Sequence, residues 1–150
     1  MIESGKVADL SEGVQSLVQE AMKLRKQAYA PYSKFLVGCA LESTGGKRYS
    51  GCNVENVGLT LTVHAEIHAL CNLRAGGERE CQTLVVVTPL MEPLFPCGQC
   101  RQFISELGPK CEVYAVDAGG KEYKKASITE LLPEVYEKDH QSLGSQSVEI

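Results

Sequence analysis

Three pieces of the chain decide its fold when read in order: His64-Ala65-Glu66, then Leu84-Val85-Val86-Val87, then Pro96-Cys97-Gly98-Gln99-Cys100. The outer two each open a helical pattern, and the middle one is a β-branched run of the kind buried on both faces of a sheet. A helix, a core strand and a second helix therefore follow one another, and both helix starts carry metal-type side chains. One imidazole, two thiols and a carboxylate can hold a zinc ion with one position open. Structural zinc sites close all four positions with Cys or His, whereas catalytic ones keep three protein ligands and leave the fourth to water.

Spacing supports the metal. Cys97 and Cys100, three apart at a helix start, share a face and can converge on one ion. A Cys-x-x-Cys alone also serves redox motifs and structural zinc; His64 and Glu66 at a second helix start shift the reading toward catalysis. The unsatisfied N–H groups and positive dipole at each helix start favour thiolate over thiol. With one imidazole and two thiolates the centre is formally neutral and should polarise a bound water strongly. Residues two apart normally diverge on a helix, but at the first turn both reach a point beyond the helix end. His64 is then a ligand and Glu66 a proton shuttle; the plainer alternative is a surface glutamate favouring a helix N-terminus. His64 and His68 stand four apart like protease zinc ligands, yet Ala65 occupies the place of the protease glutamate. His68 is read as a packing residue or one that supports a ligand.

Outward from this centre, residues 63–75 form a helix stopped by Gly76-Gly77, and 82–88 form a strand. Residues 89–96 are loop, with prolines at 89, 93 and 96, and 97–107 form a helix whose inner side carries Phe103, Ile104 and Leu107. Upstream, Val14, Leu17, Val18, Ala21, Leu24 and Ala28 mark an amphipathic helix over 11–29, capped by Ser11 and ended ahead of Pro31. Strands over 36–41 and 47–54 follow, joined by a Thr44-Gly45-Gly46 turn, and 55–62 is a loop. Downstream come a strand at 112–116, a Gly119-Gly120 turn and a weaker strand at 121–125. Ser127-x-x-Glu130 is a capping box opening a last short helix. Residues 1–10 and 141–150 read as flexible tails of a single domain over 1–150. The element order predicts a three-layer α/β/α fold with one mixed five-stranded sheet.

The 150 residues are 43% hydrophobic, enough for a sizeable core, and the net charge is −4 with no Lys/Arg run longer than Lys124-Lys125. Nothing offers a broad surface to a nucleic-acid backbone. Seven cysteines, an odd number with no signal-like stretch ahead of them, argue against a secreted disulfide framework. Cys39, Cys52, Cys71, Cys81 and Cys111 are expected as small buried side chains in a reducing compartment. With no apolar stretch of membrane-spanning length, the chain is expected to be cytoplasmic, with no membrane partner.

Phe35-x-Val37-Gly38, Gly51-Cys52-Asn53-Val54-Glu55-Asn56, His64-Ala65-Glu66, Pro96-Cys97-Gly98-Gln99-Cys100-Arg101-Gln102 and Glu130-Leu131-Leu132-Pro133, in this order, resemble the small homo-tetrameric cytidine deaminases. The likeness runs from about residue 14 to 136. It implies the cytidine-deaminase-like fold, zinc as cofactor, and a small nucleoside as substrate. The implied reaction is hydrolysis of cytidine and 2'-deoxycytidine to uridine and 2'-deoxyuridine with release of ammonia, a step of pyrimidine salvage. It also implies that Asn53 and Glu55 bind the ribose hydroxyls and that Phe35 packs beside the nucleoside. Backbone groups around Ala65, Thr88 and Cys97 are candidates for the base edge.

Small members usually carry Cys-Ala-Glu-Arg where this chain has His64-Ala65-Glu66-Ile67. One negative and one positive charge are lost together, so the changes compensate. The segment 57–63, including Leu59, also departs from the family pattern, and Tyr136 falls near an aromatic that in the family reaches a neighbouring subunit's pocket. Two rivals remain: a deaminase of another aminopyrimidine such as blasticidin S, and a structural zinc module whose fourth ligand is His68 or another cysteine.

Overall fold

The computed structural model describes residues 1–136. Its strands are β1 (Glu3–Lys6), β2 (Gly38–Ser43), β3 (Arg48–Cys52), β4 (Cys81–Val87), β5 (Glu112–Val116) and β6 (Glu122–Ser127). The helices are α1 (Glu12–Arg25), α2 (Ala65–Ala75), α3 (Gly98–Leu107) and α4 (Ile128–Leu131). One mixed sheet runs β1-β6-β5-β4-β2-β3. β4 and β5 are parallel and every other neighbouring pair is antiparallel.

The sheet alternates its side chains between two helical layers. Leu84 and Val86 of β4 point into the layer holding Ala69, Leu70 and Leu73 of α2, Ile104 of α3 and Ile128 of α4. Val85 and Val87 point the other way, onto Leu17, Val18 and Ala21 of α1. Each of these four β4 side chains is almost wholly buried, a contribution of about 1.5–3 kcal/mol apiece by transfer from water. The three-layer α/β/α expectation holds, and β4 is its central member.

The sheet has six strands rather than the expected five. Residues 1–10, expected as a tail, supply β1, which pairs with β6 (Gly5 opposite Tyr123), and a 3-10 turn at Val7–Asp9 that buries Val7. All four residues of β1 are exposed, so no apolar alternation announces the strand; backbone pairing to the free edge of β6 holds it. The anticipated tail over 141–150 lies outside the described residues.

Local signals behave as the chemistry requires. The Ser11 hydroxyl accepts from the Val14 N–H at the start of α1. Ser127 and Glu130 form the reciprocal capping box of α4. Gly51 lets α2 approach β3 closely: a Cβ there would lie 2.7 Å from the Ala69 nitrogen and 2.9 Å from the Ala65 carbonyl oxygen. That approach fixes where the first turn of α2 stands over the sheet.

Candidate metal centre and pocket

His64 and Cys97 occupy the N-cap positions of α2 and α3, with extended backbone (ψ 152° and 167°) and no side-chain cap hydrogen bond. Each helix takes its first bond from the cap carbonyl: His68 N–H to His64 O and Arg101 N–H to Cys97 O, both 2.9 Å. The cap side chains are thereby freed to point past the helix ends. Cys100, one turn into α3, is fully buried beneath them.

His64 Nδ1 lies 3.5 Å from Cys97 Sγ and 3.3 Å from Cys100 Sγ. Among the described residues these three form the one group of at least three His, Cys, Asp or Glu side chains disposed to hold a metal. A tetrahedral zinc with ordinary Zn–S and Zn–N bonds separates sulfur from nitrogen by about 3.6 Å, so the donor set fits. Burial, reinforced by the nearby Glu66 and Cys97, pushes the Cys100 thiol far above its usual range; a bound cation would favour the thiolate there.

Glu66 is 6% exposed. Burial raises its pKa, opposed by its own backbone N–H, Cys100 and His64. It lines a cavity of about 290 Å³, together with His64, Ala65, Thr88 and Cys97, near the lower limit of about 300 Å³ for small-ligand pockets. Phe35, Asn53 and Glu55 line the same cavity. Seven of the eight expected site residues line this one cavity, and the eighth, Cys100, is buried against His64.

Asn53 and Glu55 are buried and hydrogen-bonded to the 32–37 segment. Asn53 Oδ1 accepts from the Val37 N–H at 2.8 Å, and Nδ2 donates to the Phe35 carbonyl at 2.7 Å. Glu55 Oε2 accepts from the N–H groups of Tyr32 (2.9 Å) and Ser33 (3.2 Å), and Oε1 accepts from the Ser33 hydroxyl. The Ser33 bond, helped by those backbone donors against a desolvation cost, holds the Glu55 carboxyl below the usual range.

His68 does not close the metal site. Its Nδ1 lies 2.9 Å from the Cys52 carbonyl oxygen, on β3, where it packs α2 onto the sheet. Cys39, Cys52, Cys81 and Cys111 are buried as expected, but Cys71 is exposed on the outer side of α2. Its neighbour Leu70 takes the inward position. Ser33, Thr62, Leu94 and Phe95 also line the cavity and were not singled out from sequence. They sit in loops with no periodicity, so only the assembled fold reveals them.

The profile of the cytidine and deoxycytidylate deaminase zinc-binding region matches residues 11–116. A cytidine deaminase of Sporosarcina psychrophila is 37% identical over 134 residues, covering 89% of this chain and 98% of that protein. One from Halalkalibacterium halodurans is 39% identical over 120 residues, covering 79% and 90% respectively. The crystal structure of cytidine deaminase from Burkholderia pseudomallei superposes with a TM-score of 0.78 at 38% identity, over 85% of this chain and 100% of the other.

Proposed function

The chain belongs to the cytidine and deoxycytidylate deaminase family, and from that premise we propose that it converts cytidine and 2'-deoxycytidine to uridine and 2'-deoxyuridine. Water enters at C4 and ammonia leaves. The observation that carries the reading is a buried carboxylate, Glu66, in the cavity lined by His64 and Cys97 and beside the third donor, Cys100.

His64, Cys97 and Cys100 are the zinc ligands. Zinc supplies the Lewis acidity that makes water nucleophilic at neutral pH. Glu66 is the general acid–base group: it takes a proton from the attacking water, gives it to ring N3, and passes a second to the departing amine. Burial raises its pKa, so it holds a proton more readily than an exposed carboxylate does. Asn53 and Glu55 hold the sugar, Phe35 flanks the nucleoside, and the backbone at Ala65 meets the base edge. Lining such a cavity chiefly with apolar groups keeps bulk water from the reacting ring.

Zinc-loaded protein should bleach the ultraviolet absorbance of cytidine and 2'-deoxycytidine while leaving blasticidin S intact. Turnover of blasticidin S alone would select the other aminopyrimidine reading, and no turnover of either class would select a structural zinc module. The single-domain reading of 1–150 and a cytoplasmic location belong to the same proposal; no described helix is long and apolar enough to cross a membrane. So does homo-oligomer formation, supported by the apolar side chains exposed between residues 54 and 63.

A further inference from the structure

Ser33 lines the cavity together with Asn53 and Glu55. The Phe35 N–H donates to Ser33 Oγ at 3.0 Å. Because an N–H can only donate, Ser33 accepts there, and its hydroxyl hydrogen is turned toward Glu55 Oε1. The Tyr32 and Ser33 N–H groups occupy Oε2. A carboxylate has about four acceptor positions, and this arrangement fills three. The position left is on Oε1.

Asn53 is fixed in the same manner. Val37 N–H demands an acceptor and Phe35 C=O demands a donor, so the two ends of the amide are assigned by their partners. One N–H of Nδ2 remains. A single free acceptor on Glu55 and a single free donor on Asn53 thus line one cavity. A hydroxyl is the group that uses both, donating to one and accepting from the other. Cytidine and 2'-deoxycytidine, both expected substrates, share the 3'-hydroxyl fixed on the sugar ring; the 5'-hydroxyl they also share hangs on a rotatable methylene and is not held in register with the ring.

We propose that Ser33 is a positioning residue for nucleoside specificity: by locking Glu55 through its hydroxyl and backbone N–H, it leaves one aimed acceptor that selects substrates bearing a 3'-hydroxyl. The proposal rests on Asn53 and Glu55 being the sugar contacts. Lys34, next in the chain, sits at φ +60° with its N–H on the Ala30 carbonyl at 3.0 Å. A bulky residue held in that region marks a segment whose shape is imposed by its surroundings.

The test compares cytidine with 3'-deoxycytidine as substrates for the zinc-loaded protein and its Ser33→Ala, Ser33→Thr and Glu55→Gln variants. Ser33→Ala should raise KM for cytidine about tenfold, as expected for loss of one bond to a charged group. Its kcat should hold within about twofold, because the bond is made in ground and transition states alike. The preference for cytidine over 3'-deoxycytidine should shrink by the same factor, a change that mere loosening of the loop does not produce. Ser33→Thr, which keeps the hydroxyl, should restore both values. Ser33→Ala added to Glu55→Gln should shift the preference no further. Ser33→Cys, close in shape but a weak donor, carries the same comparison if the alanine variant fails to fold. An intact preference in Ser33→Ala beside a collapsed one in Glu55→Gln overturns the role of Ser33 and leaves the sugar contacts standing. An intact preference in Glu55→Gln overturns the sugar contacts, and Ser33 with them.

Discussion

At the scale of single residues, the chemistry is concentrated in side chains whose type and spacing speak for themselves. His64, Glu66, Cys97 and Cys100 were legible because thiol, imidazole and carboxylate have few joint uses, and helix starts bring them together. Ser33 was not, since its partner Glu55 is 22 positions away and a serine beside a proline turn has many ordinary explanations. Glu66→Gln separates two roles that sequence alone ties together. The amide keeps the shape and leaves His64, Cys97 and Cys100 untouched, so about one zinc per chain should remain by elemental analysis. Proton transfer is lost, and kcat should fall by a factor of about 10²–10⁴. Undiminished turnover would remove Glu66 from the mechanism.

At the scale of elements, the metal group exists because α2 and α3 end their first turns at one place above the sheet. Gly51 sets that place for α2. Gly51→Ala inserts a methyl 2.7 Å from the Ala69 nitrogen, an overlap with backbone that no rotamer relieves. A cost of about 1–3 kcal/mol is expected, read as a lowered midpoint in denaturant. His64 should shift with the helix, and the zinc of this variant should pass to a competing chelator at a lower concentration than that of the unmodified protein. Equal chelator resistance would show that α2 docking does not position the ligand. The β5–β6 turn offers a second test. Asp117 accepts from the Lys121 and Glu122 N–H groups at 2.7 Å and from Gly119 at 3.0 Å. Desolvation alone would raise its pKa, but these donors outweigh it and hold the carboxyl below its ordinary value. A depressed pKa contributes stability that is present above the unfolded value of about 3.9 and is lost as pH falls through the folded value. Asp117→Asn should therefore lower the thermal midpoint at pH 7, and the gap from the unmodified protein should close under acid. A gap independent of pH would mean that charge at Asp117 contributes nothing.

At the scale of the whole molecule, the sequence announced its layers through burial and concealed its edges. β4 was readable from four consecutive apolar residues because both its faces are covered, whereas β1 buries none of its four side chains and is specified by the edge it meets. The segment between β3 and α2 presents the opposite case: apolar residues with nothing over them. Val54, Val57, Leu59, Leu61 and Val63 are all exposed, Val57 at 77% and Leu61 at 71%. Five such side chains in ten residues, in the segment whose Thr62 lines the cavity, form a surface that water covers at a cost and a second copy of the chain would cover with gain. The unmodified protein should then sediment at a multiple of its 16.3 kDa chain mass. Val57→Glu with Leu61→Glu places two like charges inside the contact, where each must be desolvated without a partner, and should release the 16.3 kDa chain. Neither substitution touches the metal group, so zinc content should be unchanged. A protein that sediments as a single chain before any substitution would leave this apolar surface without a copy of itself to cover it.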